Sequence, residues 1–345
     1  METLVEIADF EDWRTAVDAA VKVLRAGEVV ALPTETVYGL AADAFNEEAV
    51  AKIFEVKERP SFDPLIVHLG QKRDLKKVAA VPEELADLVK KLISEFWPGP
   101  LTLVLPKTDA VPDIVTSGLP TVAVRMSKHE VMRGAAKELG NPIAAPSANI
   151  FGRISPTSAS AVMSELGGRI PLIVDGGACA DGLESTIVAV GMDGGKPVLW
   201  MLRPGPVTRE DLRKFARVAK PKSSGDQPEA PGRMEGHYAP RTPLLLFDKP
   251  EDFVPEEGKS YALLSLRGEE KDGYVGKHEW AVTEVMSPGS GKVSEVGVRL
   301  FHLLRKLDES GVDAIVAEPV GKARLGAAVM DRLQKAAAGS GSAGG

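Results

Sequence analysis

Lys57 and Arg59 stand two residues apart, where an apolar helical stripe gives way to Pro60. A lysine point charge beside an arginine fork suits the clamping of a polyphosphate. Hydroxyl and amide side chains gather at the ends of apolar runs in three further places: Thr34 and Thr36, Ser147 and Asn149, and Ser185 and Thr186. His68 closes another such run, Leu65 to Leu69. If these runs are parallel strands, their carboxyl ends share the edge at which open α/β sheets bind ligands. Such a cleft has many neutral donors, several cations and no nucleophile–base pair. That inventory fits phosphoryl or nucleotidyl transfer, in which the protein positions reactants and stabilises charge while a substrate supplies the nucleophile.

Other chemistries find little support. The 345-residue chain lacks a Walker lysine motif, a GxGxxG fingerprint and an HExxH pair. Cys179 is the only cysteine, so there is no intramolecular disulfide and no cysteine-based metal cluster, and its use suits a reducing cytosol. A net charge of −7 argues against holding nucleic acid by bulk electrostatics. The acidic N-terminus lacks a signal core and no run of about 18 apolar residues occurs, so no membrane association is expected and the location expected is cytoplasmic.

The positioning elements follow from periodicity. Trp13, Ala16, Val17, Ala20, Val21 and Leu24 recur at helical spacing and Gly27 ends the pattern. Val29–Leu32 is a buried strand, and Asn46 caps a helix whose last turn brings up Lys57. A helix from Pro82 to Phe96 and strands at Leu101–Leu105, Thr121–Arg125 and Ile143–Ala145 follow, with the helix His129–Leu139 before the last of these. A helix capped near Ser155 or Thr157 comes next, then strands Leu172–Asp175, Thr186–Val190 and Val198–Met201, and a closing helix Arg209–Val218. Lys220 to Met234 (KPKSSGDQPEAPGRM) is rich in Pro, Gly, Ser and charge, which marks a boundary. The expected organisation is a catalytic domain over 1–218, a linker over 219–240, a smaller α/β domain over 241–337 and a disordered small-residue tail over 338–345.

Taken in order, PTETVYGL, KERPSFDPLIVH, WPGPLTLVL, TVAVR, IAAPSAN with SPT beyond it, ESTIV, RPGP and HYAP resemble the threonylcarbamoyl-AMP synthases of the YrdC type, in the long two-domain form. The resemblance is dense over residues 5 to 240. It implies a YrdC-like twisted open α/β sheet with flanking helices and a smaller Rossmann-like C-terminal domain. It further implies that L-threonine, bicarbonate or CO2, and ATP carrying Mg2+ give L-threonylcarbamoyladenylate and pyrophosphate. A downstream threonylcarbamoyl transferase complex would then modify tRNA.

Residue by residue, the resemblance makes Lys57, Arg59, Ser147 and Asn149 the phosphate-binding set, with Lys57 and Arg59 closest to the chemistry. It adds Asp63, Thr121, Ser155, Arg203, His237 and Tyr238 as nucleotide contacts. Threonine falls to Thr36, His68, Arg125, the Ala145 backbone and Ser185, with Arg125 as carboxylate partner, and Thr34 serves either ligand. The HYAP segment is expected to act as a lid anchored by the second domain. Two alternatives are a carbamoyl-adenylate-forming enzyme with another acceptor and an RNA-binding module using the Lys57–Arg59 region.

Overall fold

The computed structural model of the protein describes residues 1–9, 12–221 and 237–340. The chain divides into two compact units. The first comprises Met1–Phe151, Pro156–Ala180 and the chain from Glu184, and the second takes Gly152–Ser155, Asp181–Leu183 and the C-terminal chain. Most of the linker expected at 219–240 lies outside the described residues.

The first unit is built on eleven strands: β1 (Leu4–Ile7), β2 (Val30–Leu32), β3 (Gly39–Asp43), β4 (Ile66–His68), β5 (Leu101–Pro106), β6 (Thr121–Arg125), β7 (Ile143–Ala144), β8 (Leu172–Asp175), β9 (Thr186–Asp193), β10 (Lys196–Arg203) and β11 (Arg217–Ala219). They form one mixed sheet in the order β1-β8-β2-β3-β7-β4-β6-β5-β9-β10-β11. Its helices are α1 (Trp13–Arg25), α2 (Glu47–Lys57), α3 (Leu75–Val78), α4 (Glu83–Phe96), α5 (Asp113–Thr116), α6 (Glu130–Leu139), α7 (Ala159–Leu166) and α8 (Arg209–Leu212).

Strand alternation divides the apolar residues between two faces. Ala31, Leu40, Ala42, Val67, Val122 and Val124 pack with α2, α4 and α7 into the main core. Val30, Leu32, Ala41 and Ile143 face α1 and α6. Ile66, Val104, Ala123, Ile187, Ala189 and Leu202 form a third buried cluster made of strand residues alone.

Several expectations change here. β3 has no counterpart in the sequence reading, since Gly39–Asp43 holds three small residues, Gly39, Ala41 and Ala42, beside a single large apolar one, Leu40, and carries little strand signal. The helix after the SPT segment is capped by Ser158, whose side chain accepts from the Ala161 amide at 3.2 Å, one to three residues later than expected. The closing helix is only four residues long, because Thr208 and Asp211 form a tight capping box and the chain then pairs as β11 with β10.

The second unit has four parallel strands, β12 (Leu244–Leu246), β13 (Tyr261–Ser265), β14 (Val282–Val285) and β15 (Ala314–Ala317), in the order β12-β15-β13-β14. Helices α9 (Val293–Asp308) and α10 (Gly326–Ser340) pack with it, α9 through Leu300, Phe301, Leu304 and Leu307. Residues 338–340, expected in a disordered tail, continue α10. The Leu244 amide donates to Ser340 Oγ at 2.9 Å, which ties the helix end to β12. Residues 341–345 lie outside the described residues.

Candidate active site

The β4–β6 pair sets out the site like a ruler. The two strands are parallel with His68 level with Arg125 and Ile66 level with Ala123. Asp63 and Pro64 precede the start of β4, on the side where β6 begins at Thr121. At about 3.3 Å per residue, the ends of β6 lie some 13 Å apart. Alternation puts Thr121, Ala123 and Arg125 on one face of β6, the face of the strand-only cluster of Ile66, Val104, Ala123, Ile187, Ala189 and Leu202.

At the Arg125 end the polar groups converge. Arg125 Nη1 donates to Thr36 Oγ1 at 2.8 Å, and Nη2 meets Glu35 Oε1 at 2.7 Å. Arg125 Nε has no hydrogen-bond partner within the protein, and neither has His68 Nδ1. Burial, and then the Arg125 charge, press the His68 pKa down to about 3. The ring is therefore neutral, with Nδ1 buried. Ser185 Oγ shares a hydrogen bond with Thr102 Oγ1 at 2.8 Å. Because Leu101 pairs with Thr186 and Leu103 with Val124, Ser185 falls at this same end of the sheet. Arg203, expected among the nucleotide contacts, is held on Ser185 through Nε to its carbonyl at 3.1 Å and Nη2 to its hydroxyl at 3.2 Å.

Thr34 is a turn former. Its hydroxyl donates to the Val37 carbonyl at 2.6 Å and accepts from the amides of Thr36 and Val37. This closes the 33–38 loop between β2 and β3 and leaves Thr36 to face Arg125. The parallel-edge expectation fails. β2, β3, β7 and β4 are joined by three antiparallel pairings, so β4 runs opposite to β2. The threonines and His68 therefore come together where the loop meets Arg125, and not by sharing a strand edge.

The other end gathers the expected phosphate ligands. The α2 helix stops at Glu58, which takes the left-handed conformation at φ 54° and so turns Arg59 away from the helix. Lys57 is fully buried and donates to the carbonyls of Ser147 at 2.6 Å and Asn149 at 2.5 Å. Burial and then the neighbouring Arg59 charge push its pKa well below the usual lysine value. Arg59 Nε donates to the Asp63 carbonyl at 3.0 Å, and Nη2 donates to the Pro64 carbonyl and pairs with the Asp63 carboxylate at 2.9 Å. Its guanidinium also lies 5.8 Å from the Phe151 ring centre. Thus Lys57 and Arg59 both act first on backbone, fixing the 147–149 turn and the 63–64 turn.

Ser155, His237 and Tyr238 belong to the second unit. There the Tyr238 ring stacks on Phe301 with centroids 5.7 Å apart, the Arg332 guanidinium lies 5.1 Å from its centre, and His237 packs edge-on against it. Sequence reasoning missed Glu35 and Ser127. Ser127 Oγ donates to Glu35 Oε2 in a very short hydrogen bond. A signal existed in the carboxylate set between the two threonines of PTET, but only the fold shows Arg125 beside it. Among the described residues no group of three or more His, Cys, Asp or Glu is placed to hold a metal ion, and no helix is long and apolar enough to cross a membrane.

Comparison with known proteins identifies the family and the fold. The Sua5_yciO_yrdC family model, described as "Telomere recombination", matches residues 22–205. A second model, "Threonylcarbamoyl-AMP synthase, C-terminal domain", matches residues 207–338. A threonylcarbamoyl-AMP synthase of Pyrococcus abyssi is 42% identical over 332 residues, 94% of this chain and 94% of the relative. One of Bacillus subtilis is 42% identical over 93% of this chain and 92% of its own. The crystal structure of P. abyssi Sua5 complexed with L-threonine superposes with a TM-score of 0.85 at 38% identity, over 98% of each chain.

Proposed function

Because the chain belongs to the threonylcarbamoyl-AMP synthase family, we propose that it joins L-threonine, bicarbonate or CO2, and ATP into L-threonylcarbamoyladenylate with release of pyrophosphate. The observation that carries this reading is the two-ended site. The groups we assign to threonine include Thr36 and His68 beside Arg125, and Lys57 and Arg59 fix the 147–149 and 63–64 turns on the side where β6 begins.

In this reading Arg125 takes the threonine carboxylate through donors it does not spend on Glu35 and Thr36, the Nε–H among them. Neutral His68 accepts a proton-bearing group of threonine at Nδ1 and cannot compete as a cation at neutral pH. Ser185 and the Ala145 backbone complete the amino-acid wall. The threonine amine attacks the carbon of bicarbonate and water leaves, giving a carbamate. A carbamate oxygen then attacks the α-phosphorus, and the bond to the bridging oxygen breaks with its electron pair leaving on pyrophosphate.

Lys57 holds Ser147 and Asn149 in place and Arg59 holds Asp63, so the phosphate end is rigid before the nucleotide arrives. The donor set there is cationic, with one carboxylate already on Arg59, which fits a metal brought by the triphosphate. Magnesium carried in this way supplies neutralising charge at the leaving pyrophosphate. Thr121, Ser155, Arg203, His237 and Tyr238 are retained as nucleotide contacts, and the product passes to a threonylcarbamoyl transferase acting on tRNA in the cytoplasm.

The test is pyrophosphate release from ATP by the purified protein. Release should require both threonine and bicarbonate, and Arg125→Met should raise the threonine KM at least about tenfold, the equivalent of roughly 1.4 kcal/mol. Release that continues without threonine would sink the assignment.

A further inference from the structure

Glu35 is a buried carboxylate that the reaction as described does not use. Its two oxygens have different partners: Oε1 meets Arg125 Nη2 at 2.7 Å, and Oε2 accepts from Ser127 Oγ. Ser127 Oγ accepts in turn from the His129 amide at 3.1 Å, at the residue that caps α6. Glu35 is thereby fixed from two places, the end of β6 and the turn that leads into α6. Despite strong burial, the Arg125 charge and the Ser127 hydrogen bond keep its pKa at about 2, so it stays ionised at working pH.

An Arg–Glu pair of this kind has no net charge, and removing one partner leaves the other uncompensated in a poorly hydrated place. A ligand carboxylate added to Arg125 brings a second negative charge beside Glu35. A zwitterionic amino acid cancels that charge with its own ammonium group, whereas a simple hydroxy acid does not.

We propose that Glu35 is a positioning and specificity residue of the amino-acid site: it fixes the Arg125 guanidinium and balances its charge, so that the site prefers a zwitterion to a plain carboxylate anion. The inference rests on the reading of Arg125 as partner of the threonine carboxylate.

The probe is 3-hydroxybutyrate, which keeps the carboxylate and hydroxyl of threonine and lacks the amine. It is measured as an inhibitor competitive with threonine in the full-length protein. Glu35→Gln should raise the threonine KM about tenfold, leave the ATP KM unchanged, and strengthen 3-hydroxybutyrate inhibition relative to that KM, so that discrimination falls at least about tenfold. Glu35→Asp keeps the charge and should restore most of the discrimination. Ser127→Ala frees Oε2 without removing charge, and should raise the threonine KM while leaving discrimination intact.

An unchanged discrimination ratio in Glu35→Gln overturns the proposal, whatever the KM does. If Glu35→Gln does not fold, loss of discrimination in Ser127→Ala, or an unchanged threonine KM there, overturns it equally. An Arg125→Met variant with normal threonine KM would overturn the carboxylate assignment itself, a failure distinct from that of Glu35.

Discussion

Thr34 and Thr36 are the same residue type two positions apart, yet their surroundings give them different work. Thr34 satisfies one carbonyl and two amides of its own loop, whereas Thr36 faces Arg125. Thr34→Val should therefore cost about 1–3 kcal/mol in urea unfolding, the range for leaving buried partners unsatisfied. Thr36→Val should raise the threonine KM with a smaller loss of stability. His68 gives a pH prediction. Its folded pKa of about 3 lies below the ordinary 6.5, so the unfolded chain binds the proton first and stability falls as pH drops through that window. Glu35 acts in the same direction between 4.5 and about 2, because its folded pKa is depressed and its contribution is present above the unfolded value. His68→Gln should reduce the slope of the unfolding free energy between pH 6.5 and 4.5, where Glu35 contributes little and His129, whose pKa burial also lowers, still acts in the same direction. An unchanged slope there would mean that His68 is not held neutral by the fold.

At the scale of elements, the KxR pair is the clearest case of a sequence reading that was right in place and incomplete in role. Lys57 does emerge at the end of α2, but its ammonium is buried against the Ser147 and Asn149 carbonyls. The helix end and the 147–149 turn are thus one structural piece. The Phe151 amide donates to the Lys57 carbonyl, and the Ala148 amide donates to the Tyr38 carbonyl, which carries the coupling on to the loop after β2. Lys57→Met should remove the two carbonyl contacts and speed hydrogen exchange at the Ala148 and Phe151 amides, together with a loss of activity. Activity lost with exchange unchanged would assign Lys57 to the nucleotide alone. Helix α2 itself was legible because Asn46, Glu47 and Glu48 mark its start and Ala49, Val50, Ile53 and Phe54 its buried face. Strand β3 was not, because small residues fit almost any backbone and gain their strand only by pairing with β2 and β7.

For the whole molecule, the contiguous boundary read from the linker composition differs from the contact division. The second unit includes Gly152–Ser155 and Asp181–Leu183, which lie within the span of the first domain in sequence. The Ala239 amide donates to the Gly152 carbonyl at 2.8 Å, and Arg305 Nη2 donates to the Ile154 carbonyl at 2.9 Å. Gly182 packs its backbone so closely on Val298 that a Cβ there would meet the Val298 Cα at 2.5 Å. A chain ending at residue 221 should keep its eleven-stranded sheet but lose these partners. Its 152–155 and 181–183 segments should become sites of limited proteolysis, with a lower melting temperature than the full chain. Equal protease resistance in the two forms would show that those segments are held by the first unit. Gly182→Ala in the full chain should lower stability in the same direction.

The sequence alone determined the order of most helices and strands, because apolar periodicity and capping residues act over a few positions and need no tertiary partner to be read. Motif order and spacing determined the family, and with it the residues worth examining. Tertiary structure decided strand direction, and so refuted a shared edge for Thr34, Thr36 and His68. It also decided which charges meet: Glu35 and Arg125 are 90 residues apart, and their contact depends on how β6 and the loop after β2 lie in one sheet. Local residue patterns set what each segment can become, whereas pairing across the sheet sets which side chains share a buried space, and electrostatics in that space sets what they do.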